Sequence, residues 1–585
     1  MHARPASPLA LLSAALVTLA ASAGAPLRAQ QPPAIPQTPA TPPVQPIEVS
    51  GGPLLPEQAA YDVTFYDLAL RVNPADSTIA GSLTVYARVV APLARLVLDL
   101  DTTLTVSGVF APDAGWLTAD AARGGAPAGP APTALGFERR TGRLWIALPR
   151  TLQPGERVAA RIEYHGRPRT GGFGPFSWSR TAAGQPWLGV AVETIGADAW
   201  WPVKDNPSDE TDSMALHFTV PAPLVAVSNG RRVGVRDAGE GWRTYDWFVS
   251  TPINNYGVTL DVAPYVEVTE RYVSVAGDTM PVTFWALPED SARARGHMPE
   301  FLDHLRFYEE LAGPYPFRSD KYGIVETPFL GMEHQTLIAY GAGFRNDAMA
   351  RYDWGFDGLH QHELGHEWFG NMITPPDWND LWLHEGFAQY MQPLYAERRI
   401  GLAKARDIMA YARAHIRQTN PLAIAPRETQ NSRQAYARDL YWRGSWVLHS
   451  LRYVMGDQRF FAMLHQWGDP QPPVPFTNDR CRCRFATTDD LLRLASRIAG
   501  RDLAWFFEVY VRQAELPRLA VTREGGTVEL RWEAPAGLPF PMPVDVKVDG
   551  RTRRVEMPDG HATLTVPARA TFEVDPDAWV LRGGQ

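Results

Sequence analysis

Two histidines four residues apart, the first followed directly by a glutamate, constrain this chain more than any other feature: His362-Glu363-Leu364-Gly365-His366. At 3.6 residues per turn, positions i and i+4 leave a helix on the same side, so both imidazoles reach one ion. After eighteen intervening residues, within the segment Trp382-Leu383-His384-Glu385-Gly386-Phe387-Ala388, Glu385 is supplied as a third ligand from a second helix. Three protein ligands leave one position of a tetrahedral zinc open, which separates a catalytic site from a closed structural one. Glu363 is rotated by about 100° from the ligand directions beside it. It is therefore a candidate general base rather than a ligand. Gly370 and Asn371 are suited to end the zinc helix, where a left-handed backbone is needed. The bland alternative, a chance string on an amphipathic helix, does not account for Glu385.

The 585 residues, 45% hydrophobic and with 19 Trp, suffice for two to four cored domains. Net charge is −8 with no long basic run, which argues against nucleic acid or an anionic membrane as partner and favours a small-molecule or peptide substrate. Residues 1–29 combine a short basic start, an Ala-rich apolar stretch and small-residue exits, the pattern of a secretory signal peptide. No other segment is apolar over the length of a membrane span. The expectation is an exported protein, periplasmic or secreted, with no stable membrane span after signal removal. Cys481 and Cys483 are the only cysteines, so no disulfide framework is expected. Two free thiols are the favoured reading of that pair, a small-ring disulfide the alternative.

Residues 30–46 form a Pro-rich linker. Residues 47–266 show short alternating segments punctuated by Gly and Pro, the signature of an antiparallel β domain. Helical spacing governs residues 267–516, with helices expected over 292–311, 358–370, 380–399, 402–418, 439–454 and 488–509. Short strands return in 517–585, a small β-sandwich-like domain. The fold class is multidomain α+β.

The strings His362 to Asn371 (HELGHEWFGN) and Trp378 to Ala388 (WNDLWLHEGFA), at this separation, resemble the gluzincin aminopeptidases, the group of aminopeptidase N and leukotriene hydrolase. The resemblance covers about residues 60 to 520 and implies a thermolysin-like catalytic domain. It implies one Zn2+ held by His362, His366 and Glu385, with Glu363 as base. The family's Gly-x-Met-Glu-Asn loop is matched in part by Leu330-Gly331-Met332-Glu333-His334. Glu333 is thereby implied as the anchor of the substrate α-amine, with Gly331 and Met332 beside the substrate, while Leu330 and His334 depart from the pattern. Glu193, twelve residues before Asp205, matches a second amine-binding acid. Tyr441, in Tyr441-Trp442-Arg443-Gly444, matches the tyrosine placed beside the scissile carbonyl, with Tyr436 as competitor.

These residues imply an aminopeptidase acting on peptides with a free N-terminus. A zinc endopeptidase, an epoxide hydrolase and an inactive binding protein are the rivals. Arg443 reads as a solvated helix charge, Asp380 as a candidate orienter of a zinc histidine, and His334, His360 and His384 as scaffolding outside the ligand set. Many members of the group end in a large helical domain. A chain that ends in a small β domain implies a more open site or cover from a partner subunit, and oligomeric state stays open.

Overall fold

The computed structural model describes residues 49–112, 133–170, 175–417, 419–470 and 481–584. The expected signal peptide, residues 1–29, and the expected Pro-rich linker, residues 30–46, lie outside the described residues. The N-terminal domain is built on an eight-stranded sheet whose centre runs β5 (Trp242–Val249), β4 (Ser213–Pro221), β1 (Tyr61–Asn73), β2 (Thr78–Val89) and β3 (Arg157–Gly166). Burial alternates along β1 and β3, as a strand with one face on a core requires. The pairing is antiparallel except for β1 with β4, which run parallel. Trp200 and Trp201 are fully buried beneath it, and Trp201 meets Tyr66 of β1 edge to face at 4.9 Å. This aromatic packing fixes the segment that carries Glu193.

The catalytic region is less purely helical than its sequence spacing suggests. It holds a mixed sheet in the order β6 (Val266–Val273), β7 (Thr279–Ala286), β8 (Tyr322–Glu326), β10 (Leu337–Tyr340), β9 (Gly331–Met332). The short edge strand β9 runs antiparallel to β10 and delivers Glu333 to the cleft. Around this sheet lie α1 (Ser291–Ala312), α2 (Gly358–Gly365), α3 (Trp382–Arg399), α4 (Leu402–His415), α5 (Trp442–Met455) and α6 (Thr488–Ala499). The helix expected over 488–509 is broken, because Gly500 takes a left-handed φ of 69° and caps α6. None of the helices among the described residues is long and apolar enough to cross a membrane.

Two three-stranded sheets close the chain: β11 (Arg518–Glu524), β12 (Thr527–Glu533) and β15 (His561–Thr565) in one, β14 (Arg551–Val555), β13 (Val544–Val548) and β16 (Phe572–Val574) in the other. Tyr453 Oη donates to Asp545 at 2.8 Å, and Ser450 Oγ to the Trp579 carbonyl at 3.1 Å, joining this module to α5.

Two sequence expectations need correction. Cys481 and Cys483 are not free thiols but a disulfide, with Cα atoms 5.2 Å apart. Arg482 between them adopts a positive φ of 56°, which turns the chain so that the two sulfurs meet. Arg443 is not a solvated charge. It is buried and donates to the carbonyls of Leu422, Tyr510, Gln513 and Ala514, because α5 turns it inward against the chain that follows α6.

Candidate active site

The zinc helix begins where Asp357 accepts a hydrogen bond from the His360 backbone N–H at 2.9 Å, a side-chain N-cap. Regular α-helix stops at Gly365. A wider turn, Glu367–Met372, follows, in which Phe369 leaves helical geometry and Gly370 takes φ 151°. That glycine lets the chain turn back under the second histidine, whose Nδ1 lies 3.2 Å from the Phe369 carbonyl. The contact fixes the ring and directs Nε2 into the site.

Glu385 enters on the first turn of α3. Its approach depends on two glycines. A Cβ on Gly444 would lie 2.8 Å from the Gly386 Cα, so only glycine pairs let α3 and α5 cross so closely. That crossing brings Tyr441, just before α5, onto Glu385. Tyr441 Oη donates to Glu385 Oε1, and its ring stacks on His362 at 5.9 Å. Tyr436 Oη donates to the same oxygen at 3.2 Å. The competitor and the favoured tyrosine thus stand side by side.

His362 Nε2 lies 3.3 Å from Glu385 Oε2 and 3.3 Å from His366 Nε2, and His366 Nε2 lies 3.4 Å from Glu385 Oε2. Zinc bonds of about 2.0–2.1 Å set neighbouring atoms of a tetrahedron about 3.3–3.4 Å apart. The three atoms therefore outline one face of a zinc coordination sphere, and the residues fit the ion. Glu333, His366 and His384 form a second close group. It shares His366, whose Nε2 faces His362 and Glu385, so one ion is what the cluster accommodates. Asp380 does not orient a zinc histidine. It lies at the start of the α3 segment and accepts from the Thr488 hydroxyl, near Arg512.

Glu363 Oε1 sits against β9. A Cβ on Gly331 would come within 2.5 Å of it, so the missing side chain makes room for this carboxylate. Glu333 and Glu193 are both buried, close enough that the Glu333 charge acts on Glu193. Asn371 Nδ2 donates to the Glu333 carbonyl at 2.9 Å. Ser432 Oγ donates to the Thr194 carbonyl at 2.6 Å, which fastens the loop behind Glu193. Met332 is buried on β9. His334 is buried with both ring nitrogens unpartnered.

The charges converge. Burial pushes Glu193 well above the usual carboxylate range, and the Glu333 and Glu385 charges push it further. Burial likewise raises Glu363 and Glu333, an effect that His366 opposes and Glu385 reinforces. Burial works against the charged form of His366, but the Glu333 and Glu385 carboxylates lift it to about 10. Glu385 moves the other way, because hydrogen-bonding contact with His362 and His366 outweighs its burial. Four carboxylates thus gather beside the two imidazoles, a concentration of negative charge that a bound cation would offset.

Of the sequence-derived site residues, His362, His366 and Glu385 form the triangle, Tyr441 touches Glu385, Gly331 abuts Glu363, and the charges of Glu333, Glu363 and Glu385 act on Glu193. Sequence reasoning missed Tyr256, whose hydroxyl contacts Glu333, and it ranked Tyr436 only as a competitor. Tyr256 had no local signature. Tyr436 stands five residues before Tyr441, and only the folded turn aligns the two.

Comparisons with known proteins agree with this geometry. The Peptidase M1 N-terminal domain matches residues 63–256, and the Peptidase family M1 domain matches residues 302–510. Endoplasmic reticulum aminopeptidase 1 of Homo sapiens is 24% identical over 47% of this chain and 30% of its own length. Aminopeptidase M1-D of Oryza sativa subsp. japonica is 24% identical over 58% of this chain and 38% of its own. The match spans well under half the length of these curated relatives. A crystal structure of an M1 zinc metallopeptidase from Deinococcus radiodurans, bound to a Tyr-Ser-Ala substrate, covers 81% of this chain and 98% of its own, at 25% identity and a TM-score of 0.62. With both domains of one family matched in order, and with a helix pair that presents two histidines and a glutamate as one face of a zinc sphere, this chain belongs to peptidase family M1, the gluzincin aminopeptidases.

Proposed function

We propose that this protein is a zinc aminopeptidase that removes the N-terminal residue of peptides. One observation carries the reading: the 3.3–3.4 Å ligand triangle of His362, His366 and Glu385 lies beside two further buried acids, Glu193 and Glu333. A metal satisfies the triangle. A substrate ammonium satisfies the two acids through charge-assisted hydrogen bonds, which only a free N-terminus offers.

His362, His366 and Glu385 would hold one Zn2+, which would supply Lewis acidity for peptide hydrolysis. Glu333 and Glu193 bind the α-ammonium and so place the first peptide bond at the cleft. Glu363 takes the proton from the attacking water and passes it to the departing amine. Its raised proton affinity, caused first by burial, suits it to both halves of that transfer. Tyr441 donates a hydrogen bond to the carbonyl oxygen as negative charge develops there, leaving the Glu385 oxygen it touches in the free protein. Residues 1–29 direct the chain out of the cytoplasm, so the peptides it meets are periplasmic or extracellular.

A panel of amino-acid arylamides, with and without chelator and with zinc added back, tests metal dependence and exopeptidase action together. Turnover of N-terminally blocked peptides at a comparable rate would sink the amine anchors and favour an endopeptidase. Glu363→Gln is expected to keep one zinc and lose turnover; a fully active variant with its zinc in place would overturn the assignment of the base.

A further inference from the structure

Glu333 receives a side-chain hydrogen bond from a residue with no part in the scheme above. Tyr256 Oη lies 3.3 Å from Glu333 Oε1 and 3.4 Å from His384 Nδ1. A phenol carries one proton and an ionised carboxylate only accepts. The hydroxyl therefore donates to Glu333 and accepts from His384, which fixes the tautomer with the proton on Nδ1. The other ring nitrogen, Nε2, has no hydrogen-bond partner.

Tyr256 is held firmly enough for this contact to direct the carboxylate. It sits in the short turn Asn255–Gly257. Asn229 Nδ2 donates to the Gly257 carbonyl at 2.8 Å and to the Gln335 carbonyl at 2.7 Å, clamping that turn to the chain two residues past Glu333. The Trp378 ring packs on Tyr256 at 5.5 Å. Trp378 in turn abuts Gly51, where a Cβ would lie 2.2 Å from the indole. With Asn371 holding the Glu333 carbonyl, both ends of the residue are anchored, and the hydroxyl determines where its carboxylate points.

We propose that Tyr256, backed by His384, is a positioning residue that orients Glu333 toward the substrate ammonium, so that selection of a free N-terminus depends on it. The inference rests on Glu333 being the amine anchor. Its effect belongs to substrate binding rather than to the chemical step, because the hydroxyl touches neither the zinc triangle nor Glu363.

Tyr256→Phe removes one oxygen and keeps the ring, so the fold is preserved; zinc content and the thermal transition verify this. The variant is compared with wild type and with His384→Asn in arylamide turnover. It is also compared in inhibition by an amino-acid hydroxamate and by the same hydroxamate lacking its amine. Tyr256→Phe is expected to raise KM about ten-fold, the loss of one hydrogen bond to a charged group, with a smaller change in kcat. The amino compound's inhibitory advantage over the desamino compound shrinks by a similar factor, while desamino inhibition is unchanged. His384→Asn is expected to move the same ratio in the same direction, by less. An unchanged ratio in Tyr256→Phe, or a parallel loss of both inhibitors, would overturn the proposal and leave a structural role. A wild-type enzyme with no preference for the amino compound would instead remove the amine-anchor reading, and this inference with it.

Discussion

Replacing Gly331 with alanine places a methyl carbon 2.5 Å from Glu363 Oε1 and 2.6 Å from Leu359 Cδ1. Neither a non-bonded oxygen nor a non-bonded carbon approaches a methyl that closely, so both neighbours must give way. Leu359 is buried in α2 and has little room. The Glu363 carboxylate, buried on the same helix but at the end of a longer side chain, is the group that moves furthest. A shift approaching 1 Å at a proton-transfer group costs on the order of 10²-fold in rate. That corresponds to about 2.7 kcal/mol of barrier. Overpacking adds a stability loss of about 1–3 kcal/mol. Steady-state kinetics on an amino-acid arylamide should show kcat reduced roughly 10²-fold, KM changed less, and zinc content unchanged. The acid limb of the pH–rate profile should also move, because the displaced carboxylate leaves its buried surroundings. Wild-type kcat in a folded Gly331→Ala enzyme would refute the claim that this glycine makes the space for Glu363.

Removing the third ligand by Glu385→Ala should weaken zinc binding by more than about 100-fold, read as metal content after dialysis against a buffered chelator; full zinc retention would break the ligand triangle. Arg443→Met strips the donors from four carbonyls. It should cost about 3–5 kcal/mol and lower the thermal transition by several degrees; an unchanged transition would return Arg443 to the role of a surface charge. His217 of β4 lies 2.6 Å from Asp246 and 3.4 Å from Asp67. Burial disfavours its charged form, but hydrogen bonds to those carboxylates prevail and lift it from 6.5 to about 9. A raised folded value means that its contribution is full below pH 6.5 and is lost as pH rises through about 9. Denaturation of wild type against His217→Leu should show a difference on the order of 3 kcal/mol at the acid end of that window, vanishing at the alkaline end. A difference that grows with pH would reverse the sign.

The chemistry of the site was legible wherever it depended on local spacing. His362, Glu363 and His366 lie within a turn and a half of one helix, so their shared and offset directions follow from the 3.6 period alone. The two glycines beside Glu385 and Tyr441 were visible as letters but not as a crossing, because a close approach between helices is a relation between distant segments. The mixed sheet went unread for a similar reason. Its strands β8, β9 and β10 are short and buried throughout, so they carry no alternation to distinguish them from buried helix. Arg443 was misread because a charge on a helix looks solvated until the carbonyls that face it are known. The cysteine pair depended on the positive φ of Arg482, which spacing does not encode.

The sequence by itself marked out the candidate metal ligands, the candidate base and the succession of β, helical and β regions, since each is written in periodicity over a few turns. Tertiary structure decided which acids face one another, which glycine makes room for Glu363, and which hydroxyl directs Glu333. The physical reason is that hydrogen bonds, van der Waals exclusion and carboxylate repulsion act over a few ångströms of space. Residues 193, 256, 333, 363 and 441 come within that range only after the sheet and helices have packed.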